Sequence, residues 1–211
     1  DMSMVGTLKD IIIDNKLNSY CFRYNNLIIN VYFDYENEDT SAIIDNCNTI
    51  VSSFKKFTSL NVNAGISGYH HSARDFSTAV SEAILALSLN FYSSAHVVEF
   101  SSDYVAGKET FSADINLLLH DFENSVIQLD FKSASDILGS IFNKLENNFS
   151  DENTVRSICT QIYLICYRVM LKSNTLPTED EYINKINSVS DFFQLKETVR
   201  NLIDDVKKQL T

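Results

Sequence analysis

Two alternating apolar runs, one ending at Tyr24 and one beginning at Leu27, meet across Asn25-Asn26, a pair that tolerates the positive φ angles of a tight hairpin. With that pair as the turn, Tyr24 faces Leu27, Phe22 faces Ile29 and Tyr20 faces Val31, so all six share one apolar face. The opposite face carries Cys21, Arg23, Ile28, Asn30 and Tyr32, a mixed surface suited to a partial contact. Asp34 to Asp39 supply a polar loop, after which Ile43, Cys47, Ile50, Phe54 and Phe57 recur at helical spacing. Val62, Ala64 and Ile66 then alternate with Asn63, Gly65 and Ser67, as in a half-buried strand. Ser72-x-x-Asp75 predicts a cap for a helix whose core face is Phe76, Val80, Ala83, Leu87 and Phe91, followed by an apolar strand over His96 to Phe100. Thr7 to Leu17 leaves room for one helix before the hairpin. The predicted order after that helix is strand, strand, helix, strand, helix, strand.

From about Ser112 only helical spacing remains. Ile115, Leu118, Leu119 and Phe122 form one stripe; Ala134, Ile137, Leu138, Ile141, Phe142 and Leu145 form another; Val155, Ile158, Cys159, Ile162, Cys166 and Val169 form a third. Asn147 to Asp151 and Ser173 to Thr178, with Pro177, predict connections. Tyr182, Ile183 and Ile186 suggest a short helix, and Leu195, Val199, Leu202 and Val206 a long one. The four-three-four spacing of that last set suits either a two-helix seam or ordinary bundle packing. The change of pattern divides the chain into an α+β part over 1–104 and an all-helical part over 105–211.

The hairpin Arg23-Tyr24-Asn25-Asn26-Leu27-Ile28-Ile29 resembles the Arg-Tyr-Gly-Gly-Asp-Glu-Phe hairpin of GGDEF domains, the diguanylate cyclase fold, with both glycines replaced by Asn25 and Asn26 and the acidic pair by Leu27 and Ile28. Val62-Asn63-Ala64-Gly65-Ile66-Ser67 is similar to the following strand of that family. Ser81-Glu82-Ala83-Ile84-Leu85-Ala86-Leu87, Asn90-Phe91-Tyr92 and His96-Val97-Val98-Glu99-Phe100 resemble the helix and last strand of one subgroup, the GGDEF-like middle domain of bacterial AraC-type regulators. The resemblance covers roughly the first half of the chain. It implies a degenerate GGDEF-like, ferredoxin-like fold: a helix-covered antiparallel sheet followed by a helical linker. In the cyclases the glycines admit nucleotide and the carboxylates serve Mg²⁺ and the attacking hydroxyl, whereas an apolar pair holds neither metal nor proton. The family's fold begins with a central strand, for which there is no room before the hairpin. Either the chain begins inside the domain or the sheet is rearranged, so the sheet is expected to gain a substitute partner or to close its gap.

Composition changes this picture at few points. A chain of 211 residues with 45% hydrophobic and 21% charged residues, one proline and five glycines reads as ordinary globular protein. Gln161 and Arg168 interrupt its most apolar helical stretch, no signal peptide is legible, and Asp1-Met2-Ser3-Met4 reads as an appended remnant. A cytoplasmic protein without membrane contact is expected. The four cysteines, Cys21, Cys47, Cys159 and Cys166, lack paired spacing and read as buried thiols. A net charge of −11 opposes phosphate binding, so DNA contact is expected only through a domain outside this sequence.

Candidate chemistry is sparse. His70-His71, His96 and His120 have no metal-ligand spacing and read as solvated, and Asp34, Glu36, Glu38 and Asp39 lack the glycine and distal glutamate of a calcium loop. No nucleophile motif or phosphate loop occurs, and no cofactor is expected. Arg23, Tyr24 and Tyr32 are candidates for stacking on a nucleobase, with packing as the competing role. The resemblance implies a non-enzymatic, homodimeric regulatory region of an AraC-type response regulator in a two-component system, relaying signal from an upstream receiver domain to a downstream helix-turn-helix domain. The alternative is a small-molecule or nucleotide sensor on an inactive cyclase scaffold.

Overall fold

A computed structural model describes residues 2–33, 40–93, 95–102, 111–172 and 181–210. The chain divides between Ser101 and Ser102 into two units. The predicted loops at Asp34 to Asp39 and around Pro177 lie outside the described residues.

The first unit is α+β and contains α1 (Met2–Asp14), β1 (Ser19–Tyr24), β2 (Leu27–Tyr32), α2 (Ser41–Thr58), β3 (Ala64–Ile66), α3 (Phe76–Ser88) and β4 (Val97–Glu99), with short 3₁₀ turns at Ala73–Asp75 and Leu89–Tyr92. Met2 to Met4 open α1, and Met4 packs on the unit's core. The expected strand and helix order follows. The expected single antiparallel sheet does not: β1 pairs antiparallel with β2, while β3 and β4 form a separate parallel pair. Parallel pairing requires a crossover, and α3 supplies it. Ala64 donates to His96 O and Phe100 donates to Ile66 O, both at 2.8 Å. Among the described residues no strand joins the two ribbons, and the expected gap closure is not seen there.

The hairpin keeps the predicted register, from Tyr24 opposite Leu27 to Ser19 opposite Tyr32. Asn25 alone of the turn pair takes positive φ, at 54°, as a type II′ turn requires at its first central residue. The face that packs inward is the mixed one. Cys21 is buried with Leu8, Ile11, Ile12 and Phe54, and Ile28 packs on that cluster. The all-apolar face is the open one, with Tyr20 60% and Tyr24 46% exposed. Helices α1 and α2 decide this, because together they supply the apolar stripe that the mixed face needs.

Helix α3 keeps most of its predicted stripe, with Val80, Ala83 and Leu87 half-buried and Phe91 buried, but not its first member. Phe76 is exposed, while Ala86 and then Leu89 and Phe91 beyond the helix end are buried. At Gly65 a Cβ atom would stand 2.1 Å from Ala83 O and 2.3 Å from Leu87 N. The backbone of α3 rests directly on β3, and only glycine leaves room for it. Ser72 accepts from the Arg74 amide and so caps the 3₁₀ turn that feeds α3.

The second unit is all-helical: α4 (Phe111–Ile127), α5 (Phe131–Asn147), α6 (Glu152–Lys172), α7 (Glu181–Ser188) and α8 (Phe192–Leu210). The predicted stripes on α5 and α6 are buried save for half-exposed Ile137. Leu195, Val199, Leu202 and Val206 of α8 are all buried in the unit's own core, which resolves their spacing as bundle packing. Asp130 caps α5 by accepting from Ser133 N at 3.1 Å. Asp151 does the same for α6 through Thr154 N at 3.0 Å. Arg156 on α6 donates to Ile186 O and Val189 O, tying down the end of α7, and pairs with Glu152.

Candidate functional site

The hairpin tip is the position where the resemblance places chemistry. Tyr24 and Leu27 flank the turn on the open face, and Arg23 and Ile28 flank it on the inward face. The Arg23 guanidinium folds back on the turn and donates through Nε to Asn25 O at 2.9 Å. Ile28 is fixed by packing against the cluster of Leu8, Ile11, Ile12 and Phe54. At the two positions corresponding to the acidic pair, one side chain thus packs, half-buried, against the core and the other lies on an apolar surface. Neither offers a donor, an acceptor or a charge.

The stacking candidates are not brought together. Tyr24 is on the open face, whereas Arg23 and Tyr32 belong to the inward one, and Tyr32 lies at the far end of the ribbon from the turn. The Tyr32 hydroxyl approaches Cys47 Sγ at 3.9 Å, so this ring joins β2 to α2. On the open face Tyr20, Phe22 and Phe76 form a chain of rings with centroids 6.2 Å apart at each step.

A second polar cluster surrounds Glu82, which sequence reasoning treated only as part of a signature. Its Oε2 accepts from Gly68 N at 3.1 Å and lies 2.9 Å from His70 Nε2. Glu82 thereby holds the segment after β3 against α3, and His70, expected to be solvated, is partly buried in that pair. The signal for it was a glutamate at a half-buried helical position, which spacing alone does not connect to a loop histidine. His96 pairs with Asn63 Oδ1 at 2.8 Å beside the start of the parallel ribbon. Asn90, 8% exposed, donates to Leu87 O and Ala64 O, linking the helix end to β3.

Cys21, Cys159 and Cys166 are buried and Cys47 is half-buried, all as free thiols. Burial pushes the thiols of Cys159 and Cys166 up to about 12, well away from thiolate reactivity at neutral pH. Among the described residues no group of three or more His, Cys, Asp or Glu side chains is placed to hold a metal ion. No helix among them is long and apolar enough to cross a membrane. In the second unit an open depression between α4 and α6 is lined by Leu119, His120, Leu164 and Ile165, and by the ion pair of Glu123 with Arg168 at 3.0 Å. Comparison with family models, with curated proteins and with solved structures gives no match.

Proposed function

We propose that this chain is a non-catalytic regulatory and dimerisation region of an AraC-type DNA-binding response regulator, built on a degenerate GGDEF-like domain and followed by a helical linker. In that role it passes the state of a receiver domain to a helix-turn-helix domain, both in other parts of the protein. A change in the receiver domain biases how two protomers are held, and hence whether their DNA-binding domains meet adjacent half-sites. The observation that carries the reading is Ile28, a partly buried apolar side chain packed against the core at the place where the resemblance puts a carboxylate. A scaffold that has turned a catalytic position into an apolar packing contact has use for its shape alone. The net charge of −11 supports assigning DNA contact to another domain.

Incubation with GTP and Mg²⁺ tests the chemical half of this reading. No cyclic dinucleotide is expected, and its formation overturns the reading. Thermal-shift measurements with guanine nucleotides address the sensor alternative, because a ligand selective for the folded state raises its melting temperature. An unchanged melting temperature favours signal relay over nucleotide sensing.

A further inference from the structure

In a two-residue hairpin the pair beside the turn exchanges backbone hydrogen bonds, and the exchange recurs at every second pair. Here those pairs are Tyr24 with Leu27, Phe22 with Ile29 and Tyr20 with Val31. Ile28 and Asn30 therefore turn their N–H and C=O groups away from β1, along the outer edge of β2. No other strand pairs with that edge among the described residues, and no hydrogen bond there engages either backbone. Both polar atoms of the Asn30 side chain are also shielded from water without a hydrogen-bond partner. Edge strands are normally protected by charge, proline or a bulge. Leu27-Ile28-Ile29-Asn30-Val31-Tyr32 has no charge, no proline and an uninterrupted register.

We propose that the outer edge of β2 pairs antiparallel with β2 of a second copy of this chain, with Asn30 opposite Asn30. The arrangement is self-complementary. Across a two-fold axis each Asn30 backbone gives and receives a hydrogen bond. The strand carries no charge, so no like charges meet at the axis despite the acidic chain. The apolar stripe of Leu27, Ile29 and Val31 continues across the joint. This inference stands on the hydrogen-bonding edge and does not require the regulatory reading above.

Sedimentation equilibrium of the whole chain, combined with amide exchange at Ile28 and Asn30, tests it. The expected result is self-association, with protection of those two amides rising in step with the dimer fraction. Asn30→Pro deletes an outward N–H and leaves the inward ladder intact, so it is expected to weaken association roughly tenfold or more, with the Ile29 amide still protected. Should that variant loosen the hairpin, Asn30→Cys reports instead, placed in a Cys21→Ser background because Cys21 lies directly opposite position 30 in the same hairpin. Directly opposed, bonded residues have Cα atoms about 5.5 Å apart, within disulfide range, so mild oxidation should link position 30 to position 30. A chain that stays monomeric overturns the proposal. So does a dimer whose Ile28 and Asn30 amides exchange freely and whose 30–30 link does not form.

Discussion

Replacing Gly65 with alanine places a methyl group where the structure has helix backbone. The added Cβ would lie 2.1 Å from Ala83 O, 2.3 Å from Leu87 N and 2.8 Å from Leu87 Cα, distances that side chains do not adopt. None of these atoms belongs to a flexible side chain, so relief requires α3 to lift by about 1 Å along a close-packed contact. Overpacking of this kind costs about 1–3 kcal/mol, and a backbone-on-backbone clash belongs at about 3 kcal/mol. With a urea dependence of roughly 1.5 kcal/mol per molar for a unit of this size, the midpoint falls by about 2 M. Two units need not unfold together, so each is best followed by amide-exchange mass spectrometry along a urea titration. The loss is expected in peptides of the first unit only. Gly139→Ala provides the opposite sign: it lies inside α5 with nothing within 4 Å of its added Cβ, so about 1 kcal/mol of stabilisation is expected from helix propensity. A Gly65→Ala chain whose first unit unfolds within about 0.3 M of the parent would refute the claim that α3 rests on β3.

Arg156→Ala removes the group that binds Ile186 O and Val189 O, and is expected to cost about 2 kcal/mol in thermal or urea unfolding. Arg156→Lys should recover little of it, because a single ammonium does not span both carbonyls and Glu152. Asp151 has its carboxyl held below the ordinary 3.8, chiefly by the Thr154 hydroxyl and also by the Thr154 amide. Its stabilisation is therefore fully present above that value and is lost as pH falls through the lower folded-state value. Asp151→Ala should cost about 1 kcal/mol at neutral pH and flatten the acid limb of a stability-versus-pH curve, read by circular dichroism.

Local chemistry made the hairpin legible: an Asn-Asn pair between alternating runs determines turn and register without help from the rest of the chain. Which ribbon face turns inward was not legible, because it depends on α1 and α2 coming to lie against Cys21 and Ile28. The apolar pattern of Tyr20, Phe22 and Tyr24 pointed the other way. Phe76 was misplaced. The backbone of α3 approaches Gly65 at Ala83 and Leu87, both on the predicted face, while the Phe76 ring at the helix start stays exposed beside Phe22. The helical stripes of α5 and α6 were readable since each is buried by neighbours of the same kind. Glu82 stayed hidden because its partners, Gly68 and His70, come from a loop without periodicity.

The two ribbons of the first unit also differ in how far along the chain their partners lie. β1 meets β2 across a single bend, a closure that takes microseconds and little entropy. β3 meets β4 only after the whole of α3 has been laid down between them, and each contributes three residues. So short a pairing cannot offset the entropy of closing that loop until the helix has docked on Gly65. The parallel ribbon is accordingly expected to be the last piece of this unit to assemble, once the helix has docked on the glycine that admits it.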